Sequence, residues 1–363
     1  MEELLKQKIS EITPADSKAI QEAAKRQECL AKPPRSLGKL EEISIQLAGI
    51  TGKVKNKIEK KRVIVLAADN GLYEEGIAST DRAVTMGQAV NMTKRLTGMS
   101  VLAKHFGDEV CVVDMGIYDD YDCPGIINRS LGKGTANFVK GPAMTREQAV
   151  KAILTGFEMA EKAKAEGVDI IGVGEMGIGN TSTSSAVLCS LTDLTPEQVT
   201  GRGAGLTDAA FLKKKEAVAK AIEINKPDKN DAVDVLAKVG GFDIAAMCGV
   251  FLGAAKEKLP VVIDGFISIV AALAAYRICP DVKDYMFPSH ESFEIGYLRA
   301  AEEIGLSPYL NMGMRLGEGS GCPLAFEIIS AACAVMNDMA CFGEEANFAD
   351  DFEEVRQGDC YSV

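Results

Sequence analysis

Short apolar runs alternate with longer segments of helical periodicity along most of this 363-residue chain. The runs are too short for helices and rich in β-branched residues, which is typical of strands. They cover residues 62–69, 110–116, 168–174, 260–265 and, more weakly, 284–288. The segments between them predict helices over residues 84–106, 145–166, 206–225, 243–257 and 291–304. This repetition predicts an α/β fold, with a three-layer α/β/α parallel sheet of the Rossmann-like kind.

The two ends of the chain differ from this middle part. Residues 1–60 contain no strand signal, and residues 323–342 predict a helix that is followed by a polar, acidic tail. We therefore expect a small helical subdomain from residues 1–60 and 335–363, and a large α/β catalytic domain from residues 61–334.

Composition excludes several classes of function. The net charge is −12, tryptophan is absent and aromatic residues make up only 6% of the chain, which disfavours nucleic-acid binding. A small anion can still bind to a nest of backbone N–H groups. No apolar run is long enough to span a membrane, and the best candidate is residues 266–276. The N-terminal segment is polar and lacks a signal-peptide core, so we expect a cytoplasmic protein without membrane contact.

The sequence also lacks a metal signature. Its ten cysteines are scattered without a CxxC pair, and neither His105 nor His290 has the partner spacing of a zinc ligand. We interpret the cysteines as reduced core residues and predict no structural metal and no cofactor. No Ser/His/Asp arrangement, GxSxG, HExxH, Walker A or common acidic PRPP-binding motif is visible, which disfavours hydrolase and kinase chemistry.

Acidic and small residues follow the predicted strands, and parallel sheets bind ligands at that edge. The longest such segment, GVGEMGIGNTST at 172–183, also opens a helix, whose N-terminus attracts anions. The candidate capping residues are Asn180, Thr181 and Ser182. The dinucleotide pattern GxGxxG is satisfied by Gly172, Gly174 and Gly177. Asp193 lies at the expected distance but follows no convincing strand, so a tight turn, a phosphate site and the site of an NAD-dependent oxidoreductase all stay open.

Three further segments are candidates for chemistry. The loop TGRGAG at 200–205 precedes Lys213, Lys214 and Lys215, and forms either a phosphate clamp or a flexible loop beside a solvated helix face. In MRLGEGSG at 314–321, Glu318 is either an exposed turn residue or a partly desolvated general base with a raised pKa. Gln88 alone is more typical of a helix face than of a ligand contact.

Nine motifs in chain order together resemble one family, the nicotinate-nucleotide–dimethylbenzimidazole phosphoribosyltransferases of cobamide synthesis. They span about residues 30 to 340 and read PPRSLGKLEEI (33–43), AADNG (67–71), VTMGQAVNMT (84–93), GPAMT (141–145), GVGEMGIGNTS (172–182), VGGFDIAAMCGV (239–250), LPVVIDGFIS (259–268), PSH (288–290) and MRLGEGSG (314–321). The resemblance implies transfer of the 5-phosphoribosyl group of nicotinate mononucleotide to a lower-ligand base, 5,6-dimethylbenzimidazole or a related base.

The resemblance also implies catalytic roles. Glu318 matches the catalytic carboxylate, which takes the N–H proton of the benzimidazole so that the other ring nitrogen attacks the anomeric carbon and nicotinate leaves. The product would be an α-ribazole 5′-phosphate with an inverted anomeric centre. Glu175 matches a second acidic position near the ribose, where a carboxylate can stabilise developing positive charge.

Binding residues follow from the same match. The phosphoribosyl group would be held by Gly174, Met176, Gly177, Ile178, Gly179, Asn180, Gly201, Gly203 and Lys214. Lys213 and Lys215 leave the register of that lysine open. The base would be held by Thr80, Met86, Gln88 and Leu316. Members of the family form homodimers and need no metal for the transfer.

Two departures from the family pattern keep alternatives open. Asn70 stands where the family usually has histidine, so we assign it no proton transfer. Thr80 stands where serine is common. The extra methyl group of threonine changes the free energy of binding a base by about 1 kcal/mol, in either direction. The preferred base is therefore open among dimethylbenzimidazole, another benzimidazole, adenine and a phenol, which would give an O-glycoside. A subunit that acts only with a partner chain is a further alternative.

Overall fold

A computed structural model describes residues 1–343, 345–347, 349–352 and 355. The strands are β1 (Lys61–Ala68), β2 (Glu109–Gly116), β3 (Ile126–Asn128), β4 (Ile170–Met176), β5 (Val261–Ile263) and β6 (Met286–Pro288). The helices are α1 (Glu2–Ser10), α2 (Ser17–Cys29), α3 (Lys39–Thr51), α4 (Ala83–Thr93), α5 (Gly98–Phe106), α6 (Arg146–Ala165), α7 (Asn180–Leu191), α8 (Pro196–Val199), α9 (Asp208–Asn225), α10 (Ala232–Val239), α11 (Phe242–Lys256), α12 (Phe266–Ile278), α13 (Gly296–Ile304) and α14 (Gly321–Asp338). Short 3₁₀ helices cover Gly71–Glu75 and Pro280–Tyr285.

The six strands form one parallel sheet in the order β3-β2-β1-β4-β5-β6. The chain first builds outward from β1 to β3, then returns to the middle at β4 and builds outward to β6. Ligands of such sheets bind where the strand order reverses, outside the carboxyl ends of the strands. In this sheet that point lies between the ends of β1 and β4.

Helices cover both faces of the sheet. Helix α11 packs against β1, β2 and β4, and α6 lies against α11. Helix α14 packs against β1, β4 and β5, and α3 lies against α14. Strand β1 is buried at every position after Lys61, as a central parallel strand must be. The predicted α/β/α architecture is confirmed.

Several predicted boundaries were wrong. The single helix expected over 84–106 is two helices, because Arg95 has a φ of 61° and Thr97 starts α5 with a capping box. The strand expected over 284–288 begins only at Met286, since a 3₁₀ helix precedes it. The apolar run at 266–276 is part of α12, which is buried on nearly all sides and therefore shows no helical periodicity. In the described part of the chain, no helix combines the length and apolarity needed to cross a membrane.

The chain ends meet beside α14. Leu30 forms a β-bridge with Cys341, and Nε of Arg26 donates to the carbonyl of Met336 at 2.8 Å. Helix α3 packs along α14, so α14 connects the sheet to the N-terminal helices. Residues 344, 348, 353, 354 and 356–363 of the expected subdomain lie outside the described residues.

Candidate active site

The Glu318 loop runs from Gly317 to Gly319 and has an unusual backbone. The φ angles of its three residues are 82°, 64° and 91°, all in the left-handed region. Glycine adopts that region freely, but a residue with a side chain does so at an energetic cost. A glutamate between two glycines in this conformation indicates that the surrounding structure holds the loop in place.

Strand β4 supports this loop through its glycines. A Cβ on Gly174 would lie 2.4 Å from the carbonyl oxygen of Glu318, and a Cβ on Gly172 would lie 2.5 Å from Cβ of Cys322. These two glycines of the predicted GxGxxG pattern are therefore needed for the packing of the Glu318 loop and of α14. The family resemblance implied that Gly174 holds the phosphoribosyl group, but Gly174 lies beneath the Glu318 loop and outside the cavity lining.

Glu318 itself is buried, and two hydrogen bonds fix its position. Its Oε2 accepts from the backbone N–H of Met99 at 3.0 Å, in the first turn of α5. The N-terminus of a helix favours a negative charge, so this contact suits an ionised carboxylate. The backbone N–H of Glu318 donates to Oε1 of Glu175 at 3.1 Å, which places the two acids side by side.

Glu175 and Asp264 complete an acidic cluster with Glu318. The pKa of Glu175 is raised to about 7, mainly by burial and also by the charges of Asp264 and Glu318, while hydrogen bonds from Asn180 and from the Glu318 N–H oppose the shift. Burial likewise raises the pKa of Asp264 to about 7. Asp264 accepts from the N–H groups of Gly319 and Gly321 at 3.0 and 2.7 Å, and so anchors the other end of the loop.

A buried lysine lines the same cavity as the acidic cluster. Nζ of Lys214 donates to Oγ1 of Thr181 and to the carbonyl of Gly201, each at 2.9 Å. Burial lowers the pKa of Lys214 to about 8, and the charge of Glu294 opposes that shift. Lys213 is exposed, and Nζ of Lys215 lies over the ring of Phe211, so of the three consecutive lysines Lys214 is the one that faces the cavity.

A cavity of about 260 Å³ joins these groups. Of the residues assigned from the sequence, it is lined by Thr80, Gln88, Glu175, Met176, Gly177, Ile178, Gly179, Asn180, Gly203, Lys214, Leu316 and Glu318. Three assigned residues do not line it: Met86, Gly174 and Gly201. Met86 packs against the core, and Gly201 contributes the carbonyl that accepts from Lys214.

Several residues that line the cavity were not predicted from the sequence to belong to the site. They include Asp264, Glu294 and Arg315. The Asp264-Gly265 pair at the end of a predicted strand was a usable signal for the first of them. Glu294 follows no strand and lies in no motif, so nothing in the sequence separated it from surface charges. Arg315 lies in the motif MRLGEGSG at 314–321, where roles were predicted only for Leu316 and Glu318.

Asp264 also lies near Ser289 and His290. Nδ1 of His290 is 3.0 Å from Oγ of Ser289 and 3.9 Å from Oδ1 of Asp264. In a catalytic triad the acid and the serine contact different nitrogens of the imidazole, whereas here both face Nδ1. Burial lowers the pKa of His290 to about 4, so the ring is neutral and structural.

The GxGxxG segment at Gly172–Gly177 is not followed, among the described residues, by the second strand ending in an acid that a dinucleotide site requires. Asp193 is exposed and pairs with Lys229, and the described chain between β4 and β5 contains no strand that ends in an acid. Nor do the described residues contain a group of three or more His, Cys, Asp or Glu side chains placed to hold a metal ion.

Comparisons with known proteins agree on one family. A family model described as phosphoribosyltransferase matches residues 12–347. The chain is 52% identical over 341 residues to the nicotinate-nucleotide–dimethylbenzimidazole phosphoribosyltransferase of Clostridium tetani, covering 94% of each chain. It is 50% identical to that of Clostridium perfringens, over 99% of this chain and 100% of the relative. The crystal structure of the Thermus thermophilus enzyme superimposes with a TM-score of 0.87 at 36% identity, covering 92% of this chain and 99% of that one. The chain therefore belongs to the nicotinate-nucleotide–dimethylbenzimidazole phosphoribosyltransferase family.

Proposed function

We propose that this chain transfers the 5-phosphoribosyl group of nicotinate mononucleotide to a lower-ligand base, releasing nicotinate and an α-ribazole 5′-phosphate. One observation supports this above all others: Lys214 and Glu318 line the same cavity, one buried cation and one buried acid. A phosphorylated sugar needs the first group, and a nucleophile that must lose a proton needs the second.

The phosphate would lie against the turn that opens α7. Gly177, Ile178 and Gly179 line the cavity there, and the N-terminus of a helix attracts anions. Lys214 supplies the positive charge, and its two acceptors, both neutral oxygens, leave that charge unpaired by a carboxylate. A phosphate oxygen is therefore a better partner for this ammonium group than either of its present ones.

The base would lie on the Glu318 side. Thr80, Gln88 and Leu316 also line the cavity, and Glu318 would accept the ring N–H proton. The second ring nitrogen then attacks the anomeric carbon from the face opposite to nicotinate, and the C–N bond to nicotinate breaks with inversion. Glu175 would stabilise the positive charge that develops on the ribose, since a preorganised buried carboxylate acts strongly there.

The assembly and location of the chain are further proposals. Exposed Leu96, Val101 and Leu316 form an apolar surface beside the cavity, which supports a homodimer. We also propose that the enzyme is cytoplasmic, and that residues 1–60 and 335–363 form a small helical subdomain beside a large α/β catalytic domain of residues 61–334. The β-bridge between Leu30 and Cys341 and the hydrogen bond from Arg26 to Met336 support this division, because both join the two ends of the chain.

A single assay tests the proposed activity. The purified chain alone is incubated with nicotinate mononucleotide and 5,6-dimethylbenzimidazole, and chromatography with mass spectrometry follows nicotinate and ribotide, which should appear in equal amounts. Offering other benzimidazoles, adenine, phenol and p-cresol together ranks the bases. If no base yields a ribotide without a second chain, the partner-dependent alternative replaces this proposal; tight NADH binding in a fluorescence titration would support the oxidoreductase alternative.

A further inference from the structure

We infer that Asp243 is a positioning residue of this active site, which orients Glu175 through the side-chain amide of Asn180. The inference rests on the proposed phosphoribosyl transfer, because Glu175 acts on the ribose only in that reaction. Asp243 is fully buried and does not line the cavity, so it touches no substrate.

One nitrogen connects the two acids. Nδ2 of Asn180 donates to Oε2 of Glu175 at 2.5 Å and to Oδ2 of Asp243 at 3.1 Å. A side-chain amide carries two N–H donors, so this group is fully used by the two carboxylates. The other oxygen of Glu175 is held by the N–H of Glu318, and the plane of its carboxylate is thereby fixed toward the cavity.

Asp243 is itself held firmly at the start of α11. Backbone N–H groups of Asp243 and Ile244 face its carboxylate, where the helix terminus also favours a negative charge. Two glycines border the Asp243 carboxylate so closely that a side chain on either would collide with it. A Cβ on Gly241 would lie 2.3 Å from Oδ1 of Asp243, and a Cβ on Gly177 would lie 3.0 Å from Oδ2.

Asn70 lies at the outer end of this network. Its side chain is buried, and neither its amide oxygen nor its amide nitrogen has a hydrogen-bond partner among the described residues. Oδ1 of Asp243 also lacks a partner within the described part of the chain, and a Cβ on Gly241 would contact both that atom and Oδ1 of Asn70, the latter at 2.7 Å. A half-turn of the Asn70 amide exchanges its oxygen and nitrogen and turns an N–H toward Asp243. In that orientation the Asn70 amide would donate to the network.

The test separates positioning from folding. Asp243→Ala should lower kcat about 10- to 100-fold, because Glu175 loses its fixed orientation, while KM for nicotinate mononucleotide changes less than about threefold. Asp243→Asn keeps an oxygen for Asn180 and a donor for Asn70, so it should recover most of the lost kcat. The double variant Asn180→Ala/Asp243→Ala should be no slower than Asn180→Ala alone, since both substitutions break the same connection.

Two additions keep the test decisive. Asp108→Ala is the matched control: it removes a buried carboxylate that pairs with Lys61 away from the cavity, and should lower the melting temperature without lowering kcat. If Asp243→Ala does not fold, Asp243→Thr is the second variant. Threonine fills most of the volume, but its hydroxyl is one bond too short to reach Asn180, so kcat should fall as predicted for alanine.

Three results would each overturn the inference. They are wild-type kcat in Asp243→Ala or Asp243→Thr, a loss of kcat in Asp243→Asn as large as that in Asp243→Ala, and additive losses in the double variant. An inactive wild type would instead overturn the proposed function.

Discussion

Gly174→Ala tests whether strand β4 positions the catalytic loop. Gly174 touches no part of the cavity, and its φ is not in the left-handed region, so alanine can adopt its backbone conformation. The added Cβ would lie 2.4 Å from the carbonyl oxygen of Glu318 and 3.2 Å from Cα of Gly319. Both are backbone atoms, which cannot rotate away. Because unstrained contacts begin at about 3.5 Å, the loop must move outward by roughly 1 Å.

The size of the effect follows from that displacement. Overpacking of this kind costs about 1–3 kcal/mol of folding stability, which should lower the melting temperature by several degrees. A catalytic group misplaced by about 1 Å loses roughly 10²-fold in rate. We therefore expect kcat to fall by about two orders of magnitude, whereas KM for nicotinate mononucleotide should change little, because Lys214 and the α7 turn are untouched.

Steady-state release of nicotinate and differential scanning calorimetry measure both effects. Gly141→Ala is the matched control, since a Cβ there meets no atom within 4 Å and its φ is not left-handed. Wild-type kcat together with an unchanged melting temperature in Gly174→Ala would refute the packing of the Glu318 loop on β4. The need for glycine at position 174 of that strand would then have no structural basis.

Three further predictions concern the charged groups. Glu318→Gln keeps the side-chain volume but removes the base, so kcat should fall about 10²- to 10⁴-fold with an unchanged circular dichroism spectrum; wild-type-like turnover would contradict the assigned role. Lys214→Met should raise KM for nicotinate mononucleotide about 10- to 100-fold, and the same change at exposed Lys213 should not, as saturation kinetics will show. The pKa of Glu175 is about 7 in the folded chain, so the fold binds this proton more tightly than the unfolded chain does. Its contribution to stability is complete below the ordinary glutamate pKa and is lost as the pH rises to about 7. The melting temperature of Glu175→Gln should therefore fall less between about pH 5 and pH 7 than that of the wild type. The same pH dependence of the melting temperature in both proteins, measured by calorimetry, would count against the raised pKa of Glu175.

The sheet and its ligand-binding edge could be predicted because their signals are local. Each apolar run of the central strands carries its own β-branched pattern, and Asp69, Asp114 and Asp264 stand at the strand ends in the sequence itself. Helix α12 could not be recognised in the same way, since a helix buried on all sides has no polar face to produce a period. The break before α5 depends on Thr97 and Ser100, a short capping signal within a longer helical pattern.

The glycines of β4 show why site residues are harder to predict. A glycine that admits a phosphate and a glycine that admits another backbone look the same in sequence. Gly174 belongs to the second kind, because the chain that approaches it lies more than 140 positions away, at Glu318. The register of the lysines, by contrast, was within reach of sequence reasoning. Lys214 shares one face of α9 with buried Ala217, Val218 and Ala221, at the spacing of a helical core stripe.

The backbone at Glu318 gives an independent reason to place catalysis there. Its φ of 64° is one that glycine would adopt without cost, and the neighbours on both sides are already glycines. Folding stability alone would therefore favour a third glycine at this position. The carboxylate that stands there is buried, accepts one hydrogen bond from the start of α5, and lines the same cavity as Lys214. A strained side chain that faces a ligand cavity is better explained by the reaction than by the fold, because the fold would be more stable without it.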